Sequence, residues 1–207
     1  MKSLIRIFNN IFIIPYKSKI IYWPIDKTLY YKDNINNFSL DWVYIWSIYD
    51  KNIQKDLKNF KYRYNTKSLQ DFVKIYIRLI WDYIREDKEN LIITWMPIYI
   101  LDRLFRTYNH TYKLCNKISS DTGIRFKKLV KKIKHTKKQA RLNKNQRAVN
   151  IKWCFKSINQ IDIKWKNIII IDDIISTWNT SHEIWKILKE CWANKVYWLF
   201  LASYKNY

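Results

Sequence analysis

Residues 168–183, IIIIDDIISTWNTSHE, restrict the possible folds of this chain more than any other stretch. Four successive isoleucines, Ile168 to Ile171, are apolar on both sides of an extended backbone, so they suit a strand whose sheet is covered on both faces. Asp172 and Asp173 follow, then Ile174 and Ile175, then Ser176, Thr177, Trp178, Asn179 and Thr180 before a helical pattern. The order is strand, turn, helix start. In a parallel α/β sheet, ligands gather beyond the carboxyl ends of strands, and the free N–H groups of a helix N-terminus attract anions. The hydroxyls of Ser176, Thr177 and Thr180 add donors able to wrap a phosphomonoester. The paired carboxylates can grip vicinal hydroxyls or magnesium-bound water. Taken residue by residue, the Asp pair also reads as a solvated turn and helix cap.

The rest of the chain supplies the surroundings such a strand needs. Apolar residues recur at helical spacing over 51–60 and again over 66–85, where Leu69, Phe72, Val73, Tyr76, Ile77, Ile80 and Ile84 form one face. A buried-strand run at 91–94 leads through Pro97 to a basic helix region with Arg103, Arg106, Asn109 and Tyr112, which should stop at Gly123. Further strands are expected at 124–130, 151–155, 167–171 and 195–202, with a helix over 181–191. Strands alternating with helices predict an α/β fold, a mostly parallel central sheet flanked by helices. The lysine-rich stretch 131–147 is too polar to pack on both sides and reads as a mobile loop.

Residues 1–45 carry Pro15, Pro24 and an Asn-rich loop at 33–37, without periodicity, and are expected to be an irregular N-terminal segment before a domain spanning 46–207. The run at 4–14 begins with basic character but is interrupted by Arg6, Asn9 and Asn10 and lacks a small-residue cleavage site. It reads as a buried first strand or helix rather than a signal peptide. No stretch reaches the apolar length of a membrane crossing. Cys115, Cys154 and Cys191 are odd in number and lack CxxC spacing, so neither a disulfide framework nor a zinc site is indicated, and a reducing, cytoplasmic setting follows. His110, His135 and His182 share no ligand spacing and read as surface or capping residues.

Composition adds two facts. The formal charge of +22 suits a polyanion partner such as DNA, but Ile, Lys, Asn and Tyr dominate and alanine is scarce, as A/T-rich codons would produce in any protein. The second is stranger: one glycine stands beside eleven tryptophans, where average usage predicts roughly fourteen glycines. Trp192 follows a helical pattern at the position that usually adopts a left-handed cap, Trp165 lies in the turn before residue 167, and Trp178 lies inside the Ser-Thr-x-Asn-Thr loop. Glycine is what such places require. The pattern suggests a gene that reads UGA as glycine, written here as tryptophan; a truly tryptophan-rich chain with stacking surfaces for bases is the other reading.

The segment 168–183 resembles the phosphoribosyl pyrophosphate loop of type I phosphoribosyltransferases: four hydrophobics, two acids, two spacers, then Thr-Thr-Gly-x-Thr. With Trp178 read as glycine, only Ser176 departs from it. RLFRTYNHTYKL, residues 103–114, is similar to the Arg-Gly-Phe-Asn-Gln region of the ComF family, which is associated with competence and DNA uptake. That family's Thr-x-x-Gln, Leu, Arg-x-x-Asn and Gly-x-Phe series is matched at Thr136, Gln139, Leu142, Arg147, Asn150, Trp153 and Phe155. The resemblance covers residues 45–204. Thr107 stands where the family has glycine and His110 where it has glutamine. Many members begin with a four-cysteine zinc module, which this chain lacks, so no zinc is transferred to it.

The resemblance implies a type I phosphoribosyltransferase fold and a phosphoribosyl transfer with loss of pyrophosphate. Asp172 and Asp173 would hold ribose hydroxyls or hydrated Mg2+, and residues Ile174, Ile175, Ser176, Thr177, Trp178, Asn179 and Thr180 the 5-phosphate. Arg147 would join the acids in catalysis, offsetting charge on the leaving group, while Arg106, Thr136 and Gln139 are candidates for pyrophosphate or loop contacts. The partner would be phosphoribosyl pyrophosphate or a nucleotide, the cofactor Mg2+, and an oligomer is compatible with the fold. The competing reading is a non-catalytic accessory of DNA uptake that keeps the pocket for regulation and contacts DNA or uptake proteins.

Overall fold

The computed structural model describes residues 40–62, 66–84, 86–99, 110–135, 152–175 and 178–204. In chain order the elements are β1 (Trp42–Ile48), α1 (Lys51–Tyr62), α2 (Thr66–Tyr83), β2 (Leu91–Trp95), α3 (His110–Thr122), β3 (Arg125–Phe126), β4 (Val130–Lys132), β5 (Phe155–Ser157), α4 (Gln160–Ile163), β6 (Asn167–Ile175), α5 (Trp178–Glu190) and β7 (Val196–Ser203). Five strands form one sheet in the order β1-β7-β6-β2-β3. Every pairing in it is parallel. β4 and β5 form a separate antiparallel ribbon. The expectation of a mostly parallel sheet flanked by helices is met.

The isoleucine run explains the layering. Ile169 and Ile171 pack with α1, α2 and α3 in one apolar cluster, through Ile53, Phe60, Phe72, Tyr76 and Leu114. Ile168 and Ile170 pack on the opposite side with α5 and the ribbon, through Ile184, Leu188, Leu129 and Phe155. All four isoleucines are fully buried, which is why β6 has no polar alternation over this length. The central strand is thus wetted on neither face.

The connections leaving β2 and β6 run in opposite directions. β2 passes through α3 to β3 on one side, while β6 passes through α5 to β7 on the other, and the two helices cover opposite faces. Between the carboxyl ends of β2 and β6 the strand order therefore reverses. A crevice opens at such a place because neither helix crosses it.

Several boundaries differ from the sequence expectation. The stretch 124–130 divides: Arg125 and Phe126 pair with β2, while Val130 begins the ribbon, because Lys127 and Lys128 interrupt the apolar run between them. The strand expected at 151–155 lies slightly later, as β5. β1 begins at Trp42 and pairs along β7, so it crosses the expected domain start at 46. The expectations for residues 1–39 and for most of the basic loop fall outside the described residues.

Helix ends show what the turns require. Gly123 closes α3 at φ +73°, and its N–H donates to Ser119 O at 2.8 Å. Trp192 takes the same position after α5 at φ +65°. There Trp192 N–H donates to Lys189 O and Ala193 N–H to Leu188 O, both at 3.0 Å, the paired bonds of a Schellman ending. Trp165 and Trp153 are left-handed too, at φ +61° and +60°. Among the described residues every non-glycine with positive φ is a tryptophan.

Candidate functional site

β6 extends past its buried isoleucines by four residues, Asp172, Asp173, Ile174 and Ile175, before α5 starts at Trp178. The acids lie at the carboxyl end of the central strand, beside the reversal of strand order. Ser176 and Thr177 fall outside the described residues. Of the remaining loop residues, Trp178, Asn179 and Thr180 form the first turn of α5. A helix of thirteen residues thus presents its N-terminus just beyond the two carboxylates.

Side chains from three helices converge on this strand end. The Tyr76 hydroxyl of α2 donates to the carbonyl oxygen of Asp172 at 2.6 Å, pinning the backbone where the strand leaves the core. Lys61, in the last turn of α1, forms an ion pair with Asp173 Oδ2. His110, the first residue of α3, places Nε2 3.8 Å from the same oxygen. The His110 ring meets Phe60 edge-on, centroids 5.5 Å apart, and Phe60 meets Phe72 in the same way at 5.3 Å. Aromatic packing therefore orients the imidazole.

The two acids are not equivalent. Burial pushes the Asp172 carboxyl well above the usual carboxylate range, and the like charge of Asp173 pushes it further. Burial acts on Asp173 in the same sense, but the Lys61 ammonium and the His110 contact outweigh it and hold that carboxyl low. Adjacent like charges cannot both ionise cheaply in a shielded site, so the one beside a cation takes the charge. Tyr76 is fully buried, and burial followed by the charges of Asp173 and Asp172 raises its phenol well above the ordinary value. It stays a neutral donor.

Of the residues singled out in the sequence, Asp172, Asp173, Ile174, Ile175, Trp178, Asn179 and Thr180 come together at this end of the sheet. Arg106, Thr136, Gln139 and Arg147 lie outside the described residues. The expectation of surface histidines holds for His135, which is exposed, and needs correction for the other two. His110 and His182 are buried, at 5% and 4% exposure, because one is enclosed by Phe60 and the other stacks at 6.0 Å on Trp185. Lys61, Tyr76 and His110 were missed as site residues, since nothing in their local sequence places them beside the acids. One trace existed: His110 occupies a position within the matched RTYNH motif.

The donor set bears on magnesium. No group of three or more His, Cys, Asp or Glu side chains is arranged around a common point among the described residues. That does not count against Mg2+, which commonly uses one or two carboxylates and takes its other ligands from substrate phosphates and water. Asp172 fits that role better than Asp173, whose outer oxygen already faces Lys61. Among the described residues no helix is long and apolar enough to cross a membrane. The three cysteines are buried and none forms a disulfide among the described residues.

No protein-family model matches the chain. It is 27% identical over 103 residues to Competence protein F of Haemophilus influenzae, a match covering 49% of this chain and 45% of that protein. The chain thus spans about half the length of the curated relative it matches. Among solved structures, adenine phosphoribosyltransferase from Saccharomyces cerevisiae overlays with a TM-score of 0.42 at 16% identity, covering 67% of this chain and 70% of that one. A purine phosphoribosyltransferase from Pyrococcus horikoshii gives 0.40 at 15% identity, covering 67% and 77%. An allosteric regulatory enzyme of purine biosynthesis gives 0.43 at 15% identity, covering 64% of this chain but 26% of that one.

Proposed function

We propose that the chain binds phosphoribosyl pyrophosphate, or a nucleotide carrying ribose 5-phosphate, at the carboxyl end of β6, and transfers the phosphoribosyl group with loss of pyrophosphate. The observation that carries this reading is the placement of Asp172 and Asp173 at the reversal of strand order, directly before the N-terminus of α5. A ribose 5-phosphate has two vicinal hydroxyls and a dianion at opposite ends. Carboxylates accept from the hydroxyls, and helix N–H groups with the hydroxyls of Ser176, Thr177 and Thr180 meet the phosphate.

In this reading the bond from the anomeric carbon to the pyrophosphate oxygen breaks, and a nucleophile forms the new bond to that carbon. Positive charge grows on the ribose ring between these events. The acids hold the ring in place and favour that charge, with Arg147 offsetting the leaving group. Asp172 would help to hold a bound Mg2+, which would supply positive charge near the leaving group. Tyr76 keeps the strand end fixed while this occurs. The setting is cytoplasmic in this reading, where phosphoribosyl pyrophosphate is available.

Pyrophosphate release measured with a panel of bases, together with calorimetric titration of phosphoribosyl pyrophosphate and Mg2+, tests both halves. Unchanged binding after replacing both acids, Asp172→Asn and Asp173→Asn, would sink the pocket assignment.

A second reading is favoured by the charge of +22 and by the match to Competence protein F: a DNA-uptake accessory that binds a nucleotide without turning it over. DNA affinity measured against salt separates the two, since each phosphate contact adds to the slope.

We also propose that the tryptophans stand for glycines encoded by UGA. Left-handed backbone costs an L-residue ~1–2 kcal/mol, and Trp153, Trp165 and Trp192 all adopt it. The buried indole N–H groups of Trp46, Trp185 and Trp198 find no acceptor among the described residues, a further cost that glycine would not carry. Sequencing the gene decides the matter, and UGG at all eleven positions ends the idea. Glycine at 178 should also raise ligand affinity, by removing a bulky side chain from the first turn of α5.

A further inference from the structure

We infer that Lys61 and His110 are positioning residues for the acid pair, and that they assign the two acids different tasks: Asp173 is held by the protein and Asp172 meets the ligand. The inference deepens the phosphoribosyl reading and rests on it.

The geometry is specific. Lys61 lies in the last turn of α1 and His110 begins α3, two helices of the same layer, yet both address one oxygen, Asp173 Oδ2. The Asp173 side chain is 14% exposed and that of Lys61 24%, so the pair sits in a shielded margin rather than in open solvent. Phe60, next to Lys61 in the chain, packs edge-on against the His110 ring, so the two donors are also held relative to each other. Asp172 has a different environment. Its Oδ1 accepts the Asp173 backbone N–H at 3.0 Å, and no salt bridge ties it to a cation among the described residues.

Charge explains why this matters for a phosphorylated ligand. Two uncompensated carboxylates next to a polyanion would repel it. With the charge placed on Asp173 and matched by Lys61, the pair adds little net charge beside the polyanion, and the Asp172 carboxyl remains available to ribose hydroxyls or to hydrated Mg2+. Lys61 thereby acts on the ligand through Asp173, not by touching the reacting atoms.

The test uses the 207-residue chain carrying Lys61→Met, Lys61→Arg, Asp173→Asn or the double replacement Lys61→Met with Asp173→Asn. Each is titrated with phosphoribosyl pyrophosphate and Mg2+ and melted without ligand. Lys61→Met should weaken binding about tenfold, as loss of a supporting partner commonly does, and Lys61→Arg should restore most of it. In the Asp173→Asn background, Lys61→Met should have no further effect on binding or melting. His110→Gln, which keeps a donor, should bind better than His110→Phe. A wild-type chain that binds the ligand while Lys61→Met costs the same in both backgrounds overturns this inference alone. A chain whose melts show Lys61 coupled to Asp173 but which binds no phosphoribosyl pyrophosphate overturns the ligand reading, and with it the positioning role.

Discussion

The two ends of the parallel sheet treat their carboxylates in opposite ways. At the amino end, Glu86 accepts from Lys195 at 2.6 Å, Tyr197 at 2.8 Å and Asn167 at 3.0 Å. The Lys195 hydrogen bond, chiefly, holds its carboxyl below the usual range. Asn194 completes the cluster by donating to Asn167 at 2.8 Å. At the carboxyl end, two acids sit side by side, and only Asp173 has a cation. One end is built for its own stability. The other keeps one carboxyl, Asp172, that no salt bridge ties to a cation among the described residues, which leaves it open to a ligand in the proposed reading.

The comparison is most directly broken at Asp172. Asp172→Asn should weaken phosphoribosyl pyrophosphate binding by about tenfold to a hundredfold, because leaving shielded polar groups of the ligand with the wrong partner costs ~1–3 kcal/mol. The same replacement should leave the ligand-free melting temperature unchanged or raise it. A carboxyl whose folded pKa is raised contributes stability that is fully present below its ordinary pKa and is lost as pH rises through the folded one, so at neutral pH keeping this acid buried opposes folding. A drop in melting temperature at pH 7 without loss of binding would reverse the roles assigned to the two ends.

Glu86→Gln is the mirror experiment. It should lower stability by ~1–2 kcal/mol at pH 7, the scale of a partly exposed charged hydrogen bond, and leave ligand affinity alone. The sign follows from its lowered pKa: the stabilisation is present above the ordinary glutamate value and is lost as pH falls through the folded one. Urea unfolding of both proteins should therefore differ at neutral pH and converge in acid. Parallel curves would mean that Glu86 is not the group responsible.

Smaller effects sharpen the amino end further, where the turns entering β3, β6 and β7 contain Gly123, Trp165 and Trp192. Trp192→Gly should stabilise by about 1 kcal/mol, relief of left-handed strain exceeding loss of the Trp165 ring contact at 5.8 Å. Gly123→Ala should cost about 1 kcal/mol. An added Cβ at Gly123 meets nothing within 4 Å, so backbone conformation alone is at stake there. Thermal melts of the two variants should move in opposite directions.

Local pattern made much of this molecule legible. The isoleucine run announced a strand buried on both faces, the 3.6-residue spacing of Phe72, Tyr76 and Ile80 announced α2, and glycine after residue 122 marked the end of α3. The Asp pair before a hydroxyl-rich helix start was readable for the same reason, because strand, turn and cap are all encoded within a few neighbouring residues. Two of the three histidines were misjudged, because burial is not a local property, while His135 is exposed as expected. His110 and His182 look polar in sequence and lie inside.

By itself, the sequence determined the layers, the central strand and the place where two acids meet a helix N-terminus, since each depends on periodicity or on contiguous residues. Tertiary structure alone decided that those acids differ. Tyr76 reaches Asp172 across 96 positions of chain, and Lys61 and His110 reach Asp173 from separate helices, contacts that arise only when α1, α2 and α3 pack on one face of the sheet. Electrostatic asymmetry is a property of distances in space, and no spacing along the chain reports it.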